Sequence, residues 1–185
     1  GMYNGEMLSA SEYKSLASLD GAGFHGGYNH IVYQMVGQPL GVFYLPHSTG
    51  LESDGNGGYT YGIADLNGGG VSLEDGEDRY VAGQAVPKTI LGSNISFRYK
   101  RFDLSLQING AFGHKIYNGT SLTYMNMNIF PDYNVMKKAP QQNIKDQTAT
   151  DYWLEKGDYV NFDYVTLGWN CLLYTSPSPR DGLLS

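Results

Sequence analysis

The strongest constraint on the fold is the alternation across residues 87–113, PKTILGSNISFRYKRFDLSLQINGAFG. From Gly92 onward, Asn94, Ser96, Arg98 and Lys100 interleave with Ile95, Phe97 and Tyr99. Past a tight polar corner, Phe102, Leu104, Leu106 and Ile108 share one face, and Ser105, Gln107, Asn109 and Ala111 take the other. A period of two sends successive side chains to opposite faces of a strand. Two such runs with almost no loop between them predict an antiparallel hairpin, with arms at 90–100 and 103–113. Phe97 and Leu106 fall on one face, Arg98 and Gln107 on the other. Each arm has about ten residues, the length a tilted strand needs to cross a bilayer.

Alternation alone fits two architectures. In a soluble sheet the apolar row faces a core; in a transmembrane barrel it faces lipid, and the polar row faces a lumen. The flanks favour the barrel, because the turn is short while the segments before and after the hairpin, 46–86 and 114–156, are long and rich in glycine and aromatics. The alternative is a soluble, secreted β-sandwich that binds carbohydrate. The row Phe102, Leu104, Leu106 and Ile108 discriminates: covered by a second sheet in the sandwich, bare in the barrel.

Composition narrows the function classes. A net charge of −6 offers no basic footprint for nucleic acid. Glycine (25) and tyrosine (16) are abundant, which favours turns, strands and binding or girdle surfaces over helices. There is no apolar run of transmembrane-helix length, which does not bear on barrel strands. The single cysteine, Cys171, leaves the rest of the chain without a disulfide. The chain opens on Gly1 with no signal peptide and reads as a fragment.

Along the chain, residues 9–19 have helical spacing at Tyr13, Leu16 and Leu19, with Ser11 as a candidate N-cap, or form a loop with a turn of helix. Residues 30–45, HIVYQMVGQPLGVFYL, predict strand, kink, strand, because Pro39 interrupts the ladder. Residues 46–86 read as loop, with the turn-rich ESDGNGG and DLNGGG. Residues 114–156 form a second excursion, and 159–170 a last strand in which Val165, Leu167 and Trp169 alternate with Thr166 and Gly168.

Among chemical constellations, Asp65, Asn67 and Gly70 match positions one, three and six of a calcium loop. Gly69 and Gly76 stand where acids belong, and Glu74, Asp75 and Asp78 substitute only if the loop is remodelled. The plainer reading is a glycine-rich turn closed by an Asx hydrogen bond. His25, His30, His47 and His114 lack metal-ligand spacing. No nucleophile elbow, phosphate-binding loop or paired catalytic acids stand out, so the expectation is a non-enzyme with no required cofactor. Tyr117, Tyr124, Tyr133, Tyr152 and Trp153, set among Asn and Gln, are the candidate substrate-binding residues: flat faces for stacking beside amides for hydroxyls. Barrel girdles use the same aromatics, and Phe97, Tyr99, Phe102 and Trp169 fit that role better.

The stretch VAGQAVPKTILGSNISFRYKRFDLSLQINGAFGHKIYNG resembles the C-terminal barrel region of SusC/RagA-type TonB-dependent outer-membrane receptors. GQPLGVFY, DLNGGG and the Asp78-Arg79 pair upstream, and GDYVNFDYVTLGWN downstream, are similar to that family in the same order. The resemblance implies an all-β fold, a partial antiparallel transmembrane barrel of a few strands with long extracellular loops, over residues 1–170. It implies an outer-membrane location and active import of glycans or peptides. The partners would be a SusD-like surface lipoprotein, outer-membrane lipid and the TonB complex, the last through parts that this segment lacks. Residues 171–185 read differently: CLLYTSPSPRD resembles the translation of a common transposase sequencing adapter, and is set aside as a non-native tail.

Overall fold

The computed structural model describes residues 2–3, 6–7, 13–19, 30–73 and 78–170. The adapter-like segment, Ser11, His25 and the acids at 74 and 75 lie outside them. In chain order the strands are β1 (Met2–Tyr3), β2 (Glu6–Met7), β3 (Tyr13–Ser18), β4 (His30–Met35), β5 (Val42–Pro46), β6 (Ser48–Ser53), β7 (Tyr59–Ile63), β8 (Arg79–Gln84), β9 (Thr89–Tyr99), β10 (Phe102–Phe112) and β11 (Lys115–Tyr117). Two short helices follow, α1 (Gly119–Tyr124) and α2 (Ala139–Gln142), with single 3-10 turns at Met127–Ile129 and Asp151–Trp153. Strands β12 (Leu154–Lys156) and β13 (Tyr159–Trp169) complete the set. The fold is all-β, and every registered strand pair is antiparallel. The chain divides into two compact units, residues 1–89 with 111–158, and residues 90–110 with 159–185.

The first unit is built on a sheet of order β3-β4-β5-β8. Strand β5 is buried along its whole length. Phe43 and Leu45 join Ile31, Tyr61, Leu122, Ile144 and Ala149 in one cluster, while Val42 and Tyr44 join Tyr33 and Met35 in another. Apolar residues at both parities of β5 therefore have partners, which is why this strand reads as a continuous run, VFYLP, and not as an alternation. The predicted strand, kink, strand over 30–45 is β4 and β5, joined through the turn that holds Pro39.

Two expectations are corrected. Residues 13–18 are a strand rather than a helix or loop: Tyr13 to Ser15 pair with Met35 to Tyr33 of β4, and Tyr13 packs on the second cluster. Its apolar spacing suits either period, and the ladder offered by β4 decides between them. Residues 46–86 are not loop throughout, because β6 and β7 form a hairpin and β8 pairs with β5. The glycine-rich stretches are the turns between these strands.

The second unit is the three-stranded sheet β13-β10-β9. Both hairpin arms fall one residue earlier than predicted and run to eleven residues each, as does β13. Lys100 takes the positive φ of 54° that the tight turn demands. A Cβ placed on Gly92 would meet Asn109 at 3.6 Å, and Asn94 donates to the Tyr164 hydroxyl at 3.1 Å. The polar row thus shares one face across three strands. On the opposite parity Phe102 stacks on Trp169, with ring centroids 6.3 Å apart. Phe97, Val165 and Leu167 are exposed, at 61%, 63% and 72%. Leu104, Leu106 and Ile108, on the middle strand, are half-buried. No residue of this sheet belongs to either buried cluster among the described residues. Within this unit no second sheet covers the discriminating row among the described residues, and this favours the barrel over the sandwich.

Candidate functional site

The long second excursion is ordered by its own caps. Asn118 accepts from the Ser121 amide at 2.9 Å to start α1, and Thr150, fully buried, caps the turn at Asp151–Trp153. Strands β11 and β12 close its ends, pairing Lys115 with Lys156 and Tyr117 with Leu154. Backbone bonds then stitch its middle to β7: Tyr59 donates to the Asn143 carbonyl and Lys145 to that of Tyr59.

This stitching assembles an aromatic group that the sequence lists far apart. The Trp153 indole N–H donates to the Tyr61 hydroxyl at 2.7 Å. The Tyr152 ring lies 5.3 Å from Tyr61 and 5.0 Å from Trp153, edge-on to the latter. Burial pushes the Tyr61 phenol up to about 12, against the easing effect of the indole N–H, so it stays a neutral hydroxyl. Tyr152 is exposed and Trp153 half-buried. Tyr117 packs near Phe43, and its buried hydroxyl has no hydrogen-bond partner among the described residues. Burial raises its pKa too. Of the five candidate aromatics, three sit at this core edge. Tyr124, on α1, and Tyr133 are exposed on the helical segment. Such a group offers ring faces and hydroxyls, which is stacking and hydrogen-bonding chemistry.

Beside it, Asp151 gathers three donors. Tyr80 donates at 2.7 Å, the Ser48 amide at 2.6 Å, and His47 Nδ1 lies at 2.7 Å. Burial alone would raise this carboxyl; the hydroxyl of Tyr80, then His47 and the Ser48 amide, outweigh it and hold the pKa below the usual value. Burial and the Asp151 charge push the Tyr80 phenol up. Tyr61, Tyr80 and Asp151 did not stand out in the sequence; the alternation of YTYGI over 59–63, inside the stretch read as loop, is the signal that points to a strand around Tyr61.

The Asp65 loop is a turn. Asp65 accepts from the amides of Gly68 at 2.6 Å and Gly70 at 3.0 Å, and Asn67 accepts from Gly69 at 2.8 Å. The Gly70 and Gly68 amides hold the Asp65 carboxyl below its ordinary pKa. Asp78 is fully buried and closes the loop from below, accepting from Leu66 at 2.7 Å and Ser72 at 2.8 Å. Among the described residues no cluster of three or more His, Cys, Asp or Glu side chains has metal-site geometry. His30 bonds Ser15, and His114 lies over Gly157.

No protein-family profile matches the chain. It is 28% identical over 155 residues to the TonB-dependent receptor P3 of Formosa agariphila, a match that takes in 72% of this chain. The chain spans about 15% of that receptor's length. In sequence, then, it is similar to a segment of a TonB-dependent receptor.

Proposed function

We propose that the chain is a segment of the barrel of a SusC/RagA-type outer-membrane transporter. Such a transporter imports glycans or peptides with energy delivered through TonB, and a SusD-like lipoprotein covers its outer mouth. The observation that carries this reading is the second unit: three eleven-residue strands with one polar row, and an apolar face that no described core covers. Tyr99, Phe102 and Trp169 gather at the strand ends beside the Lys100 turn, where an aromatic girdle belongs. Similarity to a TonB-dependent receptor supports the same assignment. A tight turn of this kind is periplasmic in bacterial barrels, so the excursions 46–86 and 114–156 emerge toward the medium. Tyr152 and Trp153, with Tyr117, Tyr124 and Tyr133, would there meet substrate or the lipoprotein. The Asp65 and Asn67 loop is assigned a turn-closing role without a resident calcium ion, and residues 171–185 are assigned to translated adapter.

The test is sidedness. Cysteines placed at Asn56 and Asn128 of the full-length receptor should react with a membrane-impermeant maleimide on whole cells. Reaction only after the outer membrane is permeabilised would refute the orientation.

A further inference from the structure

The ends of β11 and β12 break a local rule. Lys115 and Lys156 are directly opposed across this two-stranded pair. Like charges in that position repel and weaken the pairing. A third lysine, Lys88, lines the same cavity, a space of about 350 Å3 in the first unit. Among the described residues none of the three pairs with a carboxylate. Asp158, the acid in the lining, has its Oδ1 bonded to the Gly113 amide at 2.6 Å.

Lys115 is half-buried and Lys88 and Lys156 are exposed, and two of the three stems lie across glycines. The Lys88 stem lies across Gly113, whose absent Cβ would sit 3.0 Å from it, and Gly113 has a φ of +77°. The Lys115 stem lies across Gly83 in the same way, at 2.8 Å. Any side chain at either glycine would displace a lysine. Pro39, Val42 and Val81 supply an apolar wall, suited to the carbon skeleton that carries a charged group. Violations of local preference kept in an otherwise consistent fold mark functional sites.

We propose that this cavity binds an oxyanion of the phosphate or sulfate type. Its three lysines line one space large enough for such a group and part of its carrier, and the anion removes their mutual repulsion. Lys88 immediately precedes β9, Lys115 follows β10 by three residues, and Lys156 precedes β13 by three. All lie at strand ends remote from the Lys100 turn. On the transporter reading that is the outer membrane surface, where the oxyanion comes from a lipid headgroup or from an acidic substrate. The site itself does not rest on that reading.

The experiment follows backbone amide NMR shifts of Gly83 and Gly113 in the 185-residue chain held in neutral detergent micelles. Sodium sulfate and inorganic phosphate are titrated at ionic strength fixed with sodium chloride. Saturable shifts with both oxyanions are expected. A Lys88→Gln, Lys115→Gln, Lys156→Gln variant should bind about tenfold more weakly or worse, and the corresponding triple Arg variant should retain binding. The Arg variant keeps the charges, so it separates lost binding from a lost fold. Doping the micelles with an anionic phospholipid then assigns the source: displacement of sulfate points to lipid, and its persistence points to a soluble acidic ligand. Shifts that track chloride equally, or unaltered binding by the Gln variant, would overturn the site.

Discussion

At the residue scale, the structure divides the aromatic candidates by what they hold up. Tyr124 is exposed, and none of the core clusters depends on it. Trp153 packs on the first cluster and donates its N–H to Tyr61. On the proposed transporter reading, Tyr124→Ala should weaken substrate or lipoprotein association in the full-length receptor while its melting curve stays put. Trp153→Ala should lower stability by about 3 kcal/mol, the cost of truncating a large packed aromatic, and a denaturant titration measures it. If both variants melted alike, the division would be wrong. Asp151 makes a second residue-scale prediction. Its folded pKa is depressed, so its contribution is present above the unfolded value and lost as pH falls through the folded one. Asp151→Asn should leave a protein whose stability falls less between pH 5 and pH 3 than the parent's, a difference readable by thermal melts across that window. Equal acid sensitivity in the two would remove Asp151 as the cause.

At the element scale, the three long strands were legible because nothing competes with their pattern. From Asn94 to Tyr99, and again from Phe102 to Asn109, one row is apolar and the other polar, and a helix cannot share that period. The misread stretch, Tyr13–Ser18, shows the opposite case: its spacing is compatible with a helix, and only a partner 12 to 22 residues away, β4, makes it a strand. The group around Tyr61 was hidden for a related reason. Its partners lie 91 and 92 positions along the chain, and no local pattern announces a contact of that range. The calcium-like spacing at Asp65 was visible, whereas the amides its carboxylate serves depend on the local turn geometry. The strands also carry a prediction about faces. Leu106→Lys puts a charge on the apolar row and should cost about 2–4 kcal/mol of barrel folding if the site lies near the bilayer midplane. Gln107→Lys, one residue along, should assemble normally. The folded fraction after reconstitution into vesicles, read by heat-modifiable migration, compares them; equal losses would place both faces in one environment.

At the scale of the whole molecule, the first unit is discontinuous, made from residues on either side of the hairpin. Its tie points are long-range: Ser48 to Asp151 spans 103 positions, and Tyr61 to Trp153 spans 92. That arrangement sets an order of events. During synthesis β4 and β5 emerge well before the residues that complete their cluster, Leu122, Ile144 and Ala149. Until these arrive, the partly built sheet has an unfilled apolar side, and no local contact can substitute. The hairpin must therefore be made, or at least looped out, before the clamp on Asp151 can close. Completion of the first unit becomes a late step, rate-limited by chain return and not by any single strand, and the hairpin is handed onward from a chain whose other half is still open.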